Sequence, residues 1–152
     1  MEQYPFVLTT GARNYAFFHS EQRQIPLLRE LNPNPIVEVN PRSAASLGIA
    51  DGQWCKVWNQ FGECILKAQL TETVDERTIH AQHGWWFPEE DGDTPNLYGT
   101  FRSNINNLIP NFHFGKMGFG APFKSIICNI KAIEESYDAN MQLIADKFGK
   151  LV

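Results

Sequence analysis

The pattern of apolar and polar positions is clearest between Pro35 and Leu70, where it predicts strand, short helix, turn and hairpin in quick succession. Ile36, Val37 and Val39 make a β-branched strand. Asn40-Pro41 ends it, offering a helix N-cap followed by a proline at the first helical position. Ala44, Ala45 and Leu47 fit the apolar stripe of a short helix, and Gly48 supplies the left-handed residue that closes it. After the Asp51-Gly52 turn, Trp54 to Trp58 and Glu63 to Leu70 flank Asn59-Gln60-Phe61-Gly62 as the arms of a hairpin. In the second arm Cys64, Leu66, Ala68 and Leu70 alternate with Glu63, Lys67 and Gln69, so one face is buried and the other meets water.

The flanks carry weaker versions of the same signals. Phe6 to Thr10 is β-branched and apolar, a first strand ending at Gly11. Ile25 to Leu31 reads as a short helix with Pro26 in its first turn, stopped by Asn32-Pro33-Asn34-Pro35. Thr78 to Gln82 is a strand with Ile79 and Ala81 inward. Residues 88–102 are acidic and rich in turn formers, which predicts an exposed loop. Ile126, Ile127 and Ile130 belong to a last strand. From Ala132 to Phe148 the residues Ile133, Tyr137, Met141, Ile144 and Phe148 fall near one stripe, predicting an amphipathic helix that stops at Gly149.

Composition narrows the function classes. A chain of 152 residues needs one core. A net charge of -4 with a pI near 5.5 lacks the basic field of a non-specific nucleic-acid binder. No apolar run approaches the roughly 20 residues of a membrane span. Cys55, Cys64 and Cys128 lack CxxC spacing and read as small buried hydrophobes. The start, MEQYPFVLTT, has no basic region and enters a strand almost at once, so it does not read as a signal peptide, and the compartment stays open. There is no Walker loop, no GxGxxG and no serine or cysteine nucleophile motif, so the chain by itself is not expected to be catalytic.

Candidate chemistry clusters in three stretches. In GARNYAFFHS, Gly11 lets backbone N–H groups approach a phosphate closely and Arg13 can grip it with two charge-assisted hydrogen bonds, while His19 and Ser20 add donors. The alternative is that Arg13 is a solvated charge and His19 a loop histidine with local partners. Tyr15, Phe17 and Phe18 either sandwich a flat ring or plug the core beneath a long loop. His80 and His83 stand three apart in extended structure, on opposite faces, and no nearby cysteine completes a metal set. Trp85 and Trp86 cannot both be core if the backbone is extended; one should cover a ligand or a partner. Asn104 and Asn106 offer the donor and acceptor pairs that suit a heterocycle edge, or else cap their own turn. Lys124 before an isoleucine-rich strand is either a phosphate-facing charge or an ordinary strand end.

Together these motifs resemble the molybdopterin dinucleotide-binding domain, the C-terminal domain of the dimethyl sulfoxide reductase and formate dehydrogenase family of molybdenum or tungsten oxidoreductases. The resemblance runs from about Pro5 to about Ile130 and rests on the Asn40 to Gly52 pattern, on Thr10, Gly11, Arg13, His19 and Ser20, on Ser103, Asn104, Asn106 and Leu108, and on Pro122, Phe123 and Lys124. One extra residue, Ala12, separates the glycine from the arginine. The resemblance implies a mainly β fold, a double-psi β-barrel of the aspartate decarboxylase-like kind with short helices, over residues 1–131, and a C-terminal helical extension over 132–152 that departs from the usual pattern. It implies molybdopterin guanine dinucleotide as cofactor, in a bis form shared with other domains of a parent chain, with molybdenum or tungsten bound through the cofactor and by no residue here. The implied binding residues are Thr10, Gly11, Arg13, Asn14, His19, Ser20, His83, Trp86, Asn104, Asn106, Phe123 and Lys124. The implied partners are the parent oxidoreductase's remaining domains, with an iron–sulfur subunit as a further candidate. Three other readings stay open: a stand-alone barrel for another anionic, nucleotide-like ligand, a subunit-contact module, and a decarboxylase-like enzyme. The last is weakened because the chain contains no Gly-Ser pair for self-cleavage.

Overall fold

The computed structural model describes residues 3–11, 14–111, 120, 124 and 126–149. Each strand expected from the sequence forms: β1 (Phe6–Thr9), β2 (Ile36–Val39), β3 (Trp54–Trp58), β4 (Glu63–Leu70), β5 (Thr78–Ala81) and β6 (Ile126–Ala132). They close in the order β1-β5-β2-β4-β3-β6, and β6 returns to β1. β1 runs parallel to β5 and β2 parallel to β4, while the remaining neighbours are antiparallel. The result is the double-psi β-barrel, and closure leaves it no free sheet edge.

A barrel this small is filled by its own side chains. Leu8, Val37, Val39, Val57, Leu66 and Ile79 point inward and are completely buried. Cys55, Cys64 and Cys128 are buried, unpaired thiols. Burial raises Cys55 and Cys128 to about 12, and Cys64 further, so all three stay protonated and behave as apolar filling. Among the described residues four short helices decorate the barrel: α1 (Pro26–Leu31), α2 (Pro41–Leu47), α3 (Thr100–Ser103) and α4 (Met141–Phe148). α2 begins as its sequence dictates, with Asn40 accepting from the Arg42 N–H at 3.0 Å, and ends at Gly48 with φ 67°.

Two expectations need correction. The helix expected from Ala132 starts only at Met141. Ala132 is still paired with Cys55 in the barrel, and residues 133–140 form neither helix nor strand, held by side chains rather than by a helical ladder. Tyr137 packs edge-on against Trp54, Asp138 pairs with Lys67 and accepts from Asn34, and Asn140 caps α4 by accepting from the Leu143 N–H at 3.0 Å. Within 88–102, only part is an exposed loop. Pro88 and Gly99 are buried, Arg102 pairs with Glu90 and lies 4.3 Å from the Phe87 ring centroid, and a 3-10 turn at Leu97–Gly99 leads into α3.

Strand direction decides where a site can be. The C-terminal ends of β1, β3 and β5 and the N-terminal ends of β2, β4 and β6 share one end of the barrel. The loop after β1, the residues after β5 and Lys124 before β6 therefore meet on one rim. A second 3-10 turn, Ile105–Leu108, is drawn to the same rim because Asn59 in the β3–β4 hairpin donates to the Leu108 carbonyl at 2.9 Å.

Candidate functional site

A cavity of about 550 Å³ opens on this rim, lined by Thr10, Gly11, His19, Ser20, His83, Gly84, Asn104, Asn106 and Lys124. Four separate stretches of chain supply these residues. A second cavity of about 270 Å³ adjoins it, sharing His19 and His83 and lined also by Asn14, Tyr15, Phe17, Phe18, Arg23 and Gln82.

The loop after β1 is shaped by local bonds. Asn14 accepts from the Ala16 N–H at 2.7 Å, Gln22 from the Phe18 N–H at 3.2 Å, and His19 takes a left-handed φ of 51°. His19 Nδ1 then lies 3.2 Å from His83 Nε2, so one wall of the cavity is a pair of imidazoles. Behind it, Gly84 at φ 64° brings its backbone against Ser20, where a Cβ would lie 2.9 Å from the Ser20 Cβ. Trp86 Nε1 donates to the Ser20 carbonyl at 2.6 Å. The two tryptophans divide as the pattern requires: Trp85 is wholly buried against Phe87 and Phe17, while Trp86 is half-buried, packed on Tyr98 and tied to the rim loop. Tyr15 and Phe18 are exposed at the second cavity, and Phe17 is the member of that aromatic trio that packs inward.

On the facing wall Asn104 accepts from the Asn106 N–H at 3.0 Å, the N-cap of its own turn. Asn106 is exposed to the cavity and its amide makes no bond among the described residues. The Lys124 ammonium closes over Gly11, 3.0 Å from the point where a Cβ would stand. The same point is 3.5 Å from Nε2 of His80, whose Nδ1 is held by Glu38 at 2.8 Å. A cation, an opened backbone and a carboxylate-oriented histidine are the parts of an anion-holding corner.

Of the residues expected from sequence, Thr10, Gly11, His19, Ser20, His83, Asn104, Asn106 and Lys124 line the main cavity, Asn14 lines the second, and Trp86 supports from behind. Arg13 and Phe123 lie outside the described residues. The sequence reading did not assign His80 or the buried arginines Arg23 and Arg29 to the rim. Arg29 is fully buried, pairs with Glu89 at 3.0 Å, donates to the Pro33 carbonyl at 2.7 Å and lies 4.9 Å from the Trp85 ring centroid. Burial lowers its pKa against the opposing pull of Glu89. Among the described residues no three metal-ligating side chains come together, and no helix is long and apolar enough to cross a membrane.

The fold is a closed barrel whose rim loops enclose a polar cavity beside the Lys124 ammonium. Residues 6–127 match the molydopterin dinucleotide binding domain, and the chain belongs to that family. It is 40% identical over 113 residues to dopamine dehydroxylase of Eggerthella lenta, covering 74% of this chain and 11% of that protein. It is 34% identical over 91 residues to acetylene hydratase of Syntrophotalea acetylenica, covering 60% of this chain and 12% of the relative. The solved acetylene hydratase from Pelobacter acetylenicus superposes with a TM-score of 0.81 at 26% identity, over 87% of this chain and 19% of that one. The chain thus spans a small part of each of these relatives, corresponding to a molybdopterin cofactor-binding module of large enzymes.

Proposed function

We propose that the rim holds the dinucleotide part of molybdopterin guanine dinucleotide, as the C-terminal module of a molybdenum or tungsten oxidoreductase. The observation that carries this is convergence: residues picked from stretches as distant as Thr10 and Lys124 surround one cavity. The residues fit the group. Gly11 leaves the backbone open beneath the Lys124 ammonium, which suits a pyrophosphate, and Arg13 would add a second cation. Asn106 presents an unused amide to the cavity, which suits a purine or pterin edge, with Asn104 setting its turn. His19, Ser20, His83 and Thr10 supply further polar contacts, Trp86 fixes the Ser20 loop, Asn14 lines the adjoining cavity, and Phe123 would be a further contact. When bound, the metal held by the pterin dithiolene would supply the redox chemistry, and this chain's residues bind and orient the cofactor. The second cofactor of the bis form, the protein ligand to the metal and the substrate site then belong to other domains, with an iron–sulfur subunit as a candidate partner. The C-terminal extension expected over residues 132–152 would play no part in holding the ligand, although Ala132 itself still belongs to β6, and the family match ends at residue 127.

The test is calorimetric titration of the 152-residue chain with guanosine diphosphate. Binding should be weak, and Lys124→Ala or Arg13→Ala should each weaken it roughly tenfold, the scale of one lost charge-assisted hydrogen bond. Binding that both variants leave unchanged would contradict the assignment.

A further inference from the structure

Arg23 lies where the loop after β1 meets the residues after β5. Its Nη1 donates to the carbonyls of His19 at 3.0 Å and Glu21 at 3.3 Å, and its Nη2 donates to the carbonyl of His83 at 3.2 Å. The side chain is 2% exposed, with the guanidinium 4.7 Å from the Phe17 ring centroid and 4.8 Å from that of Trp85. Among the described residues no carboxylate pairs with it, since Glu89 is engaged by Arg29, and its Nε is buried without a hydrogen-bond partner. Burial, and then the neighbouring Arg29, pull its pKa down to about 10, so it is still charged at neutral pH.

A buried cation without a counter-charge weakens a fold, and an apolar side chain of similar volume would fill this space better. Packing therefore does not account for an arginine here. The carbonyls it grips do: two of the three belong to the residues whose ring nitrogens meet at 3.2 Å in the cavity wall, and the third, of Glu21, belongs to the same loop as His19. The local bonds of this loop leave His19 and Gln22 in unfavourable backbone conformations, with positive φ of 51° and 73°, which a tie from outside the loop helps to hold. We infer that Arg23 is a positioning residue of the rim, whose single planar fork spans both loops and so fixes the His19 and His83 imidazoles against each other. Lysine keeps the charge but lacks the fork. What the histidine pair serves rests on the cofactor reading above; the clamp itself does not.

The test is ring-nitrogen NMR of His19 and His83 in the ligand-free chain, for wild type, Arg23→Lys and Arg23→Met, with guanosine diphosphate titrations alongside. In Arg23→Lys the methyl signals of Val37, Val39 and Leu66 should stay in place, while both histidines move to the shifts of independent, solvated imidazoles and nucleotide affinity falls. Unmoved ring signals in a folded variant would overturn the inference. Should neither variant fold, the wild-type guanidinium decides. Separate, slowly exchanging Hη signals with contacts to both loops support the clamp, and one averaged signal overturns it. A wild-type chain that ignores the nucleotide while the variants displace both rings would sink the cofactor reading and leave the clamp standing.

Discussion

Gly84 and Gly11 both lack a side chain beside the cavity, yet the consequences of adding one differ. At Gly84 a methyl group meets φ 64° and the Ser20 backbone, with Ser20 Cα 3.2 Å from the new carbon. Gly84→Ala should cost about 1–3 kcal/mol and displace the Ser20 loop, seen as a lower urea midpoint together with altered shifts at Ser20 and Trp86. At Gly11 the nearest atom is the mobile end of Lys124, so Gly11→Ala should leave the midpoint almost unchanged and weaken only anion binding. Equal losses of stability in the two variants would contradict this division. The rim residues legible in the sequence were those whose type advertises a contact: a glycine ending a strand, a lysine opening one, asparagines in a turn. Arg23 was not legible, because its task is to bind main-chain carbonyls of residues 4 and 60 positions away, and no local pattern marks that.

At the scale of elements, the barrel strands announced themselves because each buries alternate residues, and Asn40-Pro41 with Gly48 bracketed α2 without help from the rest of the fold. The C-terminal segment misled for a physical reason. Ile133, Tyr137 and Met141 match a helical period, but β6 claims the backbone through Ala132, and Asp138 is then fixed by Lys67 and Asn34 from the barrel side. Asp138 has a titration signature. The hydrogen bond from Lys67 leads in holding its carboxyl below the ordinary range, against partial desolvation. A carboxylate with a depressed folded-state value adds stability that is complete above its unfolded pKa, about 4, and disappears as the pH falls through the lowered value. The anchoring of residues 133–140 should therefore loosen in acid, followed through the Tyr137 ring signal against Trp54. Because the Asp138 side chain is 53% exposed, the effect should shrink in salt. Asp138→Asn should remove the transition, and its persistence in that variant would assign the acid sensitivity elsewhere.

For the whole molecule, the two ends of the barrel are alternatives. The end opposite the rim carries a larger hollow, about 710 Å³, lined by Pro5, Phe6, Val7, Arg42, Ser43, Ser46, Glu76 and Arg77. There Arg42 is already paired with Glu76 at 2.9 Å, with both side chains mostly exposed, and Ser43 is bonded to the Glu76 carbonyl. Chemistry, more than volume, points to the other end, where Lys124 and Asn106 face the cavity. The measurement that bears most directly on this is shift mapping of the isotope-labelled chain as guanosine diphosphate is added. Perturbations should gather at Thr10 to Ser20, His83 to Trp86, Asn104 to Leu108 and Lys124, and leave the far end silent. Perturbations centred instead on Arg42, Glu76 and Arg77 would keep the barrel and its family but move the ligand to the opposite rim, contradicting the site described here.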